Sequence, residues 1–240
     1  MRWGIMGTGG VAYAFGDALH YVPGAELIAV GSRETRKAEA FAAQHGSDGT
    51  AYGEYHLMVD DPMLDVVYVG TPASHHHRHT LLALRAGKHV LCEKPFAISY
   101  PQAEHMMIEA HDRGLLCMEA MWCRFLPSWA KIREILGGIG EIRAVAASSG
   151  GRAVVNPNTR AFKHELGGGS LFDAMVYPVT FAQMVLRSFV EVWAAAKVGS
   201  TGVDEQVSMM LRGPDGQLAT ALAGITTTFS QTGIIYGTEG

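Results

Sequence analysis

The first twelve residues constrain the fold more than any other stretch. Residues 2–6 (RWGIM) are a short apolar run suited to a buried strand. Gly7-Thr8-Gly9-Gly10-Val11-Ala12 follows at once, before a helical pattern reaching about residue 21. The spacing is G-x-G-x-x-A. Gly7 permits a tight turn, Gly9 lets the backbone approach a pyrophosphate, and the small Ala12 lets helix and strand pack closely. Free amides at the helix start favour anions. A glycine-rich turn alone is common, but one that follows a strand and opens a helix has the context of a dinucleotide site. The stretch predicts a dinucleotide-binding βα unit, against the plainer alternative of a bare βα turn.

A second strand over residues 26–30 (ELIAV) runs into Gly31, Ser32, Arg33 and Glu34. The end of this strand meets the adenosine ribose, where an NAD site carries an acidic residue. Here the position holds Ser32, with Arg33 next and Lys37 one turn on. A hydroxyl and two cations suit a 2′-phosphate. The other reading is a solvated basic start to a helix over residues 34–43, where cations oppose the helix dipole. NADP is expected ahead of NAD.

Residues 55–59 suggest a short helix and residues 65–69 (DVVYV) a central strand, which leads to Gly70-Thr71-Pro72. His75, His76, His77 and His79 open a helix to about residue 86. Consecutive helical residues point apart, and no Asp, Glu or Cys lies close in sequence, so no metal site is expected. The run HVLCEKP, residues 89–95, then ends a strand in Glu93, Lys94 and Pro95. Pro95 cannot donate to a ladder, so pairing should stop there. Ligands bind outside the carboxyl ends of strands in open parallel sheets. Lys94 therefore stands at the mouth of a crevice, either as an ion-pair partner of Glu93 or as a catalytic cation. A helix over 100–113 and a strand over 115–121 complete a doubly wound parallel sheet.

The second half reads differently. A helix over 128–136 ends at Gly137-Gly138, and a strand covers 141–149. Residues 150–165 are irregular, with Arg152, Arg160, Lys163 and His164 among them. After three glycines, a single helix is expected over 170–186. Asp173 and Tyr177 are four apart on it and so share a face. They are either functional, or a helix-start Asp and a satisfied core Tyr. Strands over 191–198, 205–212, 217–228 and from 234, with a hairpin signal at 213–216 (GPDG), predict a mostly antiparallel sheet in an α+β domain. The expected division is 1–124 for NADP binding and 125–240 for substrate and oligomerisation.

The fingerprint at residues 7–12, the turn VGTPASHHH and the run AGKHVLCEKP together resemble the Gfo/Idh/MocA oxidoreductases. The motif M-E-A-x-W-x-R-F-x-P at residues 118–127 resembles their dihydrodiol dehydrogenase-like branch. The resemblance implies an N-terminal Rossmann domain and hydride transfer between NADP and an alcohol or carbonyl of a sugar, cyclitol or cyclic diol. It puts Lys94 at the nicotinamide as a catalytic group and the Lys94–Pro95 peptide in the cis form. It makes Gly7, Thr8, Gly9, Gly10, Val11, Ala12, Ser32, Arg33, Lys37, Thr71, Pro72, His76 and Glu93 cofactor contacts. Trp122 and Arg124 would lie near the cofactor, where a linker with a packed Trp is the other reading. Asp173 and Tyr177 match the family's Asp-x-x-x-Tyr pair, with Met175 in place of the usual Gly. Tyr177 would move the proton at the substrate oxygen. A free phenol has a pKa of about 10 and needs a nearby cation such as Lys94 near neutral pH. Asp173 would orient Lys94 or a substrate hydroxyl. Relatives continue past residue 240, so the second domain is expected to be C-terminally shortened and incomplete, with a homodimer when the sheet is whole. The rival reading is a nucleotide-binding protein without turnover, or an inactive truncated homologue.

Composition narrows the partners. The 240 residues carry a net charge of -4, which argues against nucleic acid. The 3 Cys residues lack paired spacing, and the odd count argues against a disulfide framework. Asp173, Pro178 and Gln183 interrupt the apolar run at 171–186, so it is not read as a membrane span. A strand starting at Arg2 leaves no room for a leader, and a cytoplasmic location is expected.

Overall fold

The computed structural model describes residues 1–47 and 49–240. The chain divides into two units, Met1–Ala120 and Met121–Gly240. In the first, β1 (Arg2–Met6), α1 (Gly10–Leu19), β2 (Glu26–Gly31), α2 (Thr35–Gln44), β3 (Thr50–Tyr52), α3 (Tyr55–Val59), β4 (Val66–Val69), α4 (Ala73–Arg85), β5 (His89–Cys92), α5 (Tyr100–Asp112) and β6 (Cys117–Glu119) alternate along the chain. All four residues of β4 are buried, as in a parallel sheet covered on both faces. Strand periodicity sends Ile5 and Tyr68 to the face under α1 and α2, where they meet Val30 and Phe41. It sends Met6, Val67 and Val69 to the opposite face, with Leu84 and Met106. Full burial of each such side chain contributes about 1.5–3 kcal/mol.

The strand order is β3-β2-β1-β4-β5-β6, and every pair is parallel. The chain winds outward from β1 in one direction and then from β4 in the other. The crevice between those strands is the switch point at which such sheets bind ligands. Met6, Val69 and Cys92 are in register, as are Met6 and Gly31. Ser32, Gly7, Gly70 and Glu93 therefore leave the sheet in one row. At about 4.8 Å per strand the row spans roughly 15 Å.

The second unit begins before the expected boundary after Arg124, because the turn at Trp122–Phe125 bonds to the helix carrying Tyr177 and Gln183. It contains α6 (Pro127–Ile135), β7 (Ile142–Gly150), α7 (Ser170–Asp173), α8 (Val176–Leu186), β8 (Glu191–Val198), β9 (Asp204–Arg212), β10 (Leu218–Gly224) and β11 (Gly233–Gly237). The sheet order is β11-β7-β10-β9-β8, antiparallel except for β7 with β10. One face packs Val145, Leu211, Ala219 and Ala221 against the helices. The alternate residues Trp193, Met210, Leu218, Leu222, Ile234 and Tyr236 are exposed on the other face.

The single helix expected over 170–186 is two. Met175 N donates to Ser170 O at 2.9 Å, a bond five residues back, and Tyr177 N donates to Ala174 O at 3.3 Å, three back. This local widening and tightening breaks the i−4 ladder between α7 and α8. Asp173 and Tyr177 therefore belong to different helices and not to successive turns of one. The strand expected at 115–121 shortens to β6, the one expected at 217–228 to β10, and β3 was not expected at all.

Two buried histidines tie α4 to the row of strand ends. His76 Nδ1 lies 2.7 Å from Pro95 O and its Nε2 2.7 Å from Thr71 O. His79 Nδ1 lies 2.9 Å from Thr71 Oγ1, and its Nε2 lies 3.1 Å from an Arg78 NH2 group. A guanidinium only donates, so His79 Nε2 accepts and Nδ1 carries the proton. Burial, with Arg78 beside it, pushes the His79 pKa down to about 3. Unfolded histidine titrates near 6.5, so below that pH the unfolded chain takes up a proton that the fold refuses. Stability present above about pH 6.5 should be lost as the pH falls toward 3, by up to about 1.4 kcal/mol per unit. Thermal unfolding at pH 7 and 5.5, on this order of spacing, should show the loss in the natural chain and a smaller one in His79→Gln. Equal losses would remove His79 from this account.

Candidate functional site

The turn after β1 is shaped by backbone approach. Gly7 has φ +97°, and a Cβ there would lie 3.1 Å from Gly70 O and from Thr71 Cγ2. Any other residue would be both strained and crowded. A Cβ on Gly9 would meet only Gly70 O, at 3.9 Å, and one on Gly10 would meet nothing within 4 Å. Both are exposed, while Ala12 is fully buried against the sheet. The turn is thus closed toward β4 and open toward solvent at the start of α1. A pyrophosphate fits there, with the α1 amides before it.

At the end of β5 the chain turns sharply, with Lys94–Pro95 cis. Side chains satisfy the backbone of this turn. Glu93 Oε2 accepts from Lys94 N at 3.0 Å, Glu119 Oε1 from Phe96 N at 2.9 Å, and Pro95 O faces His76. Glu93 Oε1 also accepts from Tyr68 OH at 2.8 Å, and burial beside Glu93 holds that phenol far above its ordinary pKa, fixing it as a donor. A neutral imidazole donates once, so His76 makes both of its carbonyl bonds only as imidazolium. Lys94 is half-buried and follows directly on the clamped Glu93.

At the end of β2, Ser32 is buried and accepts from Glu34 N at 3.4 Å. Arg33 is exposed. Lys37, expected beside a 2′-phosphate, pairs with Glu34 at 2.6 Å, and that cation holds the Glu34 carboxyl below its usual pKa. The same pair engages an acidic side chain of this turn that could take the part of a ribose acceptor.

In the second unit, Trp122 and Tyr177 come together. Trp122 Nε1 donates to Tyr177 OH at 3.4 Å, and the rings meet edge to face at 6.2 Å. They line a cavity of about 370 Å³ with Trp129, Phe181, Gln231 and Thr232. This volume lies in the range of small-molecule pockets. Arg124 donates to Gln183 Oε1 at 2.6 Å, and Asp173 forms an ion pair with Arg160 at 2.9 Å. The sequence reading missed Trp129, Phe181 and the segment at Gln231. Phe181 was detectable, being four residues from Tyr177. Gln231, at φ +51°, carried no signal. Among the described residues, no three His, Cys, Asp or Glu side chains could hold a metal ion, and no helix is long and apolar enough to cross a membrane.

The chain has counterparts among known proteins. The family model GFO_IDH_MocA, described as an oxidoreductase family with an NAD-binding Rossmann fold, matches residues 1–121. The GFO/IDH/MocA C-terminal domain matches residues 129–240. Trans-1,2-dihydrobenzene-1,2-diol dehydrogenase of Sus scrofa is 35% identical over 100% of this chain and 72% of its own length. The Homo sapiens enzyme of that name is 34% identical, with 73% of its length covered. Among solved structures, KijD10, a 3-ketoreductase from Actinomadura kijaniata in complex with NADP and TDP-benzene, superposes with a TM-score of 0.92 at 30% identity. It covers 99% of this chain and 74% of the other. Variants of that enzyme with a tyrosine or a lysine replaced are similar as well. An aldose-aldose oxidoreductase from Caulobacter crescentus gives a TM-score of 0.91 at 26% identity, over 100% of this chain and 75% of that one. Both halves match in order and the likeness runs the whole length, so the chain belongs to the GFO/IDH/MocA family of oxidoreductases.

Proposed function

We propose that this chain is an NADP-dependent dehydrogenase or reductase acting on a CH–OH group of a cyclic diol or a sugar. The observation that carries the reading is the row of strand ends. A ribose-side serine and arginine, an open glycine turn and a clamped lysine follow one another along roughly 15 Å of the sheet's carboxyl edge. Similarity to the diol dehydrogenases, to the 3-ketoreductase and to the aldose-aldose oxidoreductase supports the substrate class. The presence of Ser32 where an NAD site has an acid supports NADP.

Gly7, Gly9 and the amides opening α1 would hold the pyrophosphate, and Ser32 and Arg33 the adenosine side. Thr71, Pro72, His76 and Glu93 would shape the wall between them and Lys94. The bound cofactor supplies the hydride. Lys94 would set its positive charge at the reacting oxygen, which lowers the cost of charge developing there. Tyr177 would give or take a substrate proton, with Trp122 fixing its ring. Asp173 would position Arg160 along the substrate.

Tyr177→Phe and Lys94→Ala should each lower kcat by about 10²–10⁴ on a diol and sugar panel, while NADPH binding by tryptophan fluorescence stays within about threefold. Unchanged turnover in either variant would remove that residue from the reaction. Loss of NADPH binding alone would reassign it to the cofactor.

The exposed apolar face of the second sheet supports a homo-oligomer, with a second copy covering Trp193, Leu222 and Tyr236. Light scattering should give a dimer mass that Leu222→Arg shifts toward the monomer. A monomeric natural chain would refute this.

A further inference from the structure

A cavity of about 550 Å³ opens beside the end of β2, with three arginines in its lining. Arg33 reaches it from the turn after β2, and Arg78 and Arg85 from α4, with Glu54, Tyr55 and His79 between them. These groups are not equivalent. Arg85 is bonded to Glu109 at 3.2 Å, and Glu54 to His56 at 3.2 Å. Arg33 and Arg78 are exposed, and neither forms an ion pair among the described residues.

Arg78 is nevertheless held. Its NH2 group donates to His79 Nε2 at 3.1 Å, while His79 Nδ1–H donates to Thr71 Oγ1 at 2.9 Å. The imidazole is buried and stays neutral, so its one lone pair remains available to Arg78. A chain of two hydrogen bonds thus runs from the turn after β4 to a guanidinium on the cavity wall. The hydroxyl proton of Thr71 is left to point elsewhere.

We propose that Arg78 is a second guanidinium for the 2′-phosphate of NADP, acting with Arg33 and determining cofactor choice, with His79 as its positioning residue. This rests on the NADP reading above. A phosphate monoester offers three terminal oxygens, and two planar guanidiniums can each take a pair of them. Lys37 is a poorer candidate because Glu34 already pairs with it. The same two cations would also attract inorganic phosphate, so the test must separate a free anion from the nucleotide.

The natural chain, Arg78→Ala, Arg78→Lys and His79→Gln should be titrated with NADPH and NADH by tryptophan fluorescence. Adenosine 2′,5′-bisphosphate, 5′-AMP and inorganic phosphate serve as competitors, and circular dichroism checks the fold of each variant. Arg78→Ala should weaken NADPH and the bisphosphate by about tenfold to a hundredfold, and NADH and 5′-AMP by less than about twofold. Arg78→Lys should recover part of the loss, and His79→Gln should show a smaller loss of the same selectivity. Equal weakening of NADPH and NADH, or no weakening, would overturn the assignment. So would inorganic phosphate competing as strongly as the bisphosphate, which would mark a free-anion site. A natural chain that binds NADH as tightly as NADPH would bring down the NADP reading and this one with it. A natural preference for NADPH that survives in Arg78→Ala would bring down only the role of Arg78.

Discussion

The turn after β5 is where the fold commits side chains to holding backbone. Pro95 ends the strand because it has no N–H, and the residues around it then lack ladder partners. A buried amide or carbonyl left without a partner costs about 1–3 kcal/mol. Glu93, Glu119 and His76 each take one of these groups, and they come from the turn just after β5, from β6 and from α4. Three elements must therefore be in place before Lys94 has a fixed position. The reverse also holds, since Tyr68 OH and Lys94 N both donate to the buried carboxylate of Glu93 and lower the cost of burying it.

The register of the sheet carries this local device to the rest of the edge. Since Met6, Val69 and Cys92 are level, the glycine turn, the Thr71 turn and the lysine turn emerge side by side. Close approach then becomes a shared requirement. Gly7 must lack a side chain because Gly70 O and Thr71 Cγ2 are already there, and Thr71 is where it is because both buried histidines bond to it. A larger residue at Gly7 would displace the group that orients α4.

What could be read from the sequence follows from the range of each signal. Apolar runs and their abrupt endings are local, so β1, β2, β4, β5 and the short α3 were legible, as were the glycine turn and the lysine at a strand end. The three-residue β3 has no run long enough to show a period, and its pairing with β2 is a property of the sheet. The break between α7 and α8 was invisible because an apolar helix with its ladder interrupted at one residue keeps nearly the same composition and spacing. The pairing of Lys37, by contrast, is written locally. Its motif suits a phosphate, but an acid three residues earlier lies within reach on the same helix face. In the run His75 to His79, the conspicuous histidines drew attention to metal, while the one arginine among them was passed over.

That run also shows why residue type alone underdetermines chemistry. His76 and His79 are three apart, on one buried face of one helix, and both bond to Thr71. His76 faces two carbonyl oxygens, which accept only, so both bonds require the cationic ring. His79 faces a guanidinium, which donates only, so its bond requires the neutral ring. The partners decide the protonation, and the two states do different work. The ring of His76 ties the lysine turn to the Thr71 turn, and the neutral ring of His79 holds an arginine. Exchanging the partners would leave each ring in the wrong state: a neutral His76 would abandon one carbonyl, and a protonated His79 would repel Arg78. The order of residues along this one helical turn is therefore fixed by hydrogen-bond polarity, and it links the lysine end of the sheet edge to the ribose end.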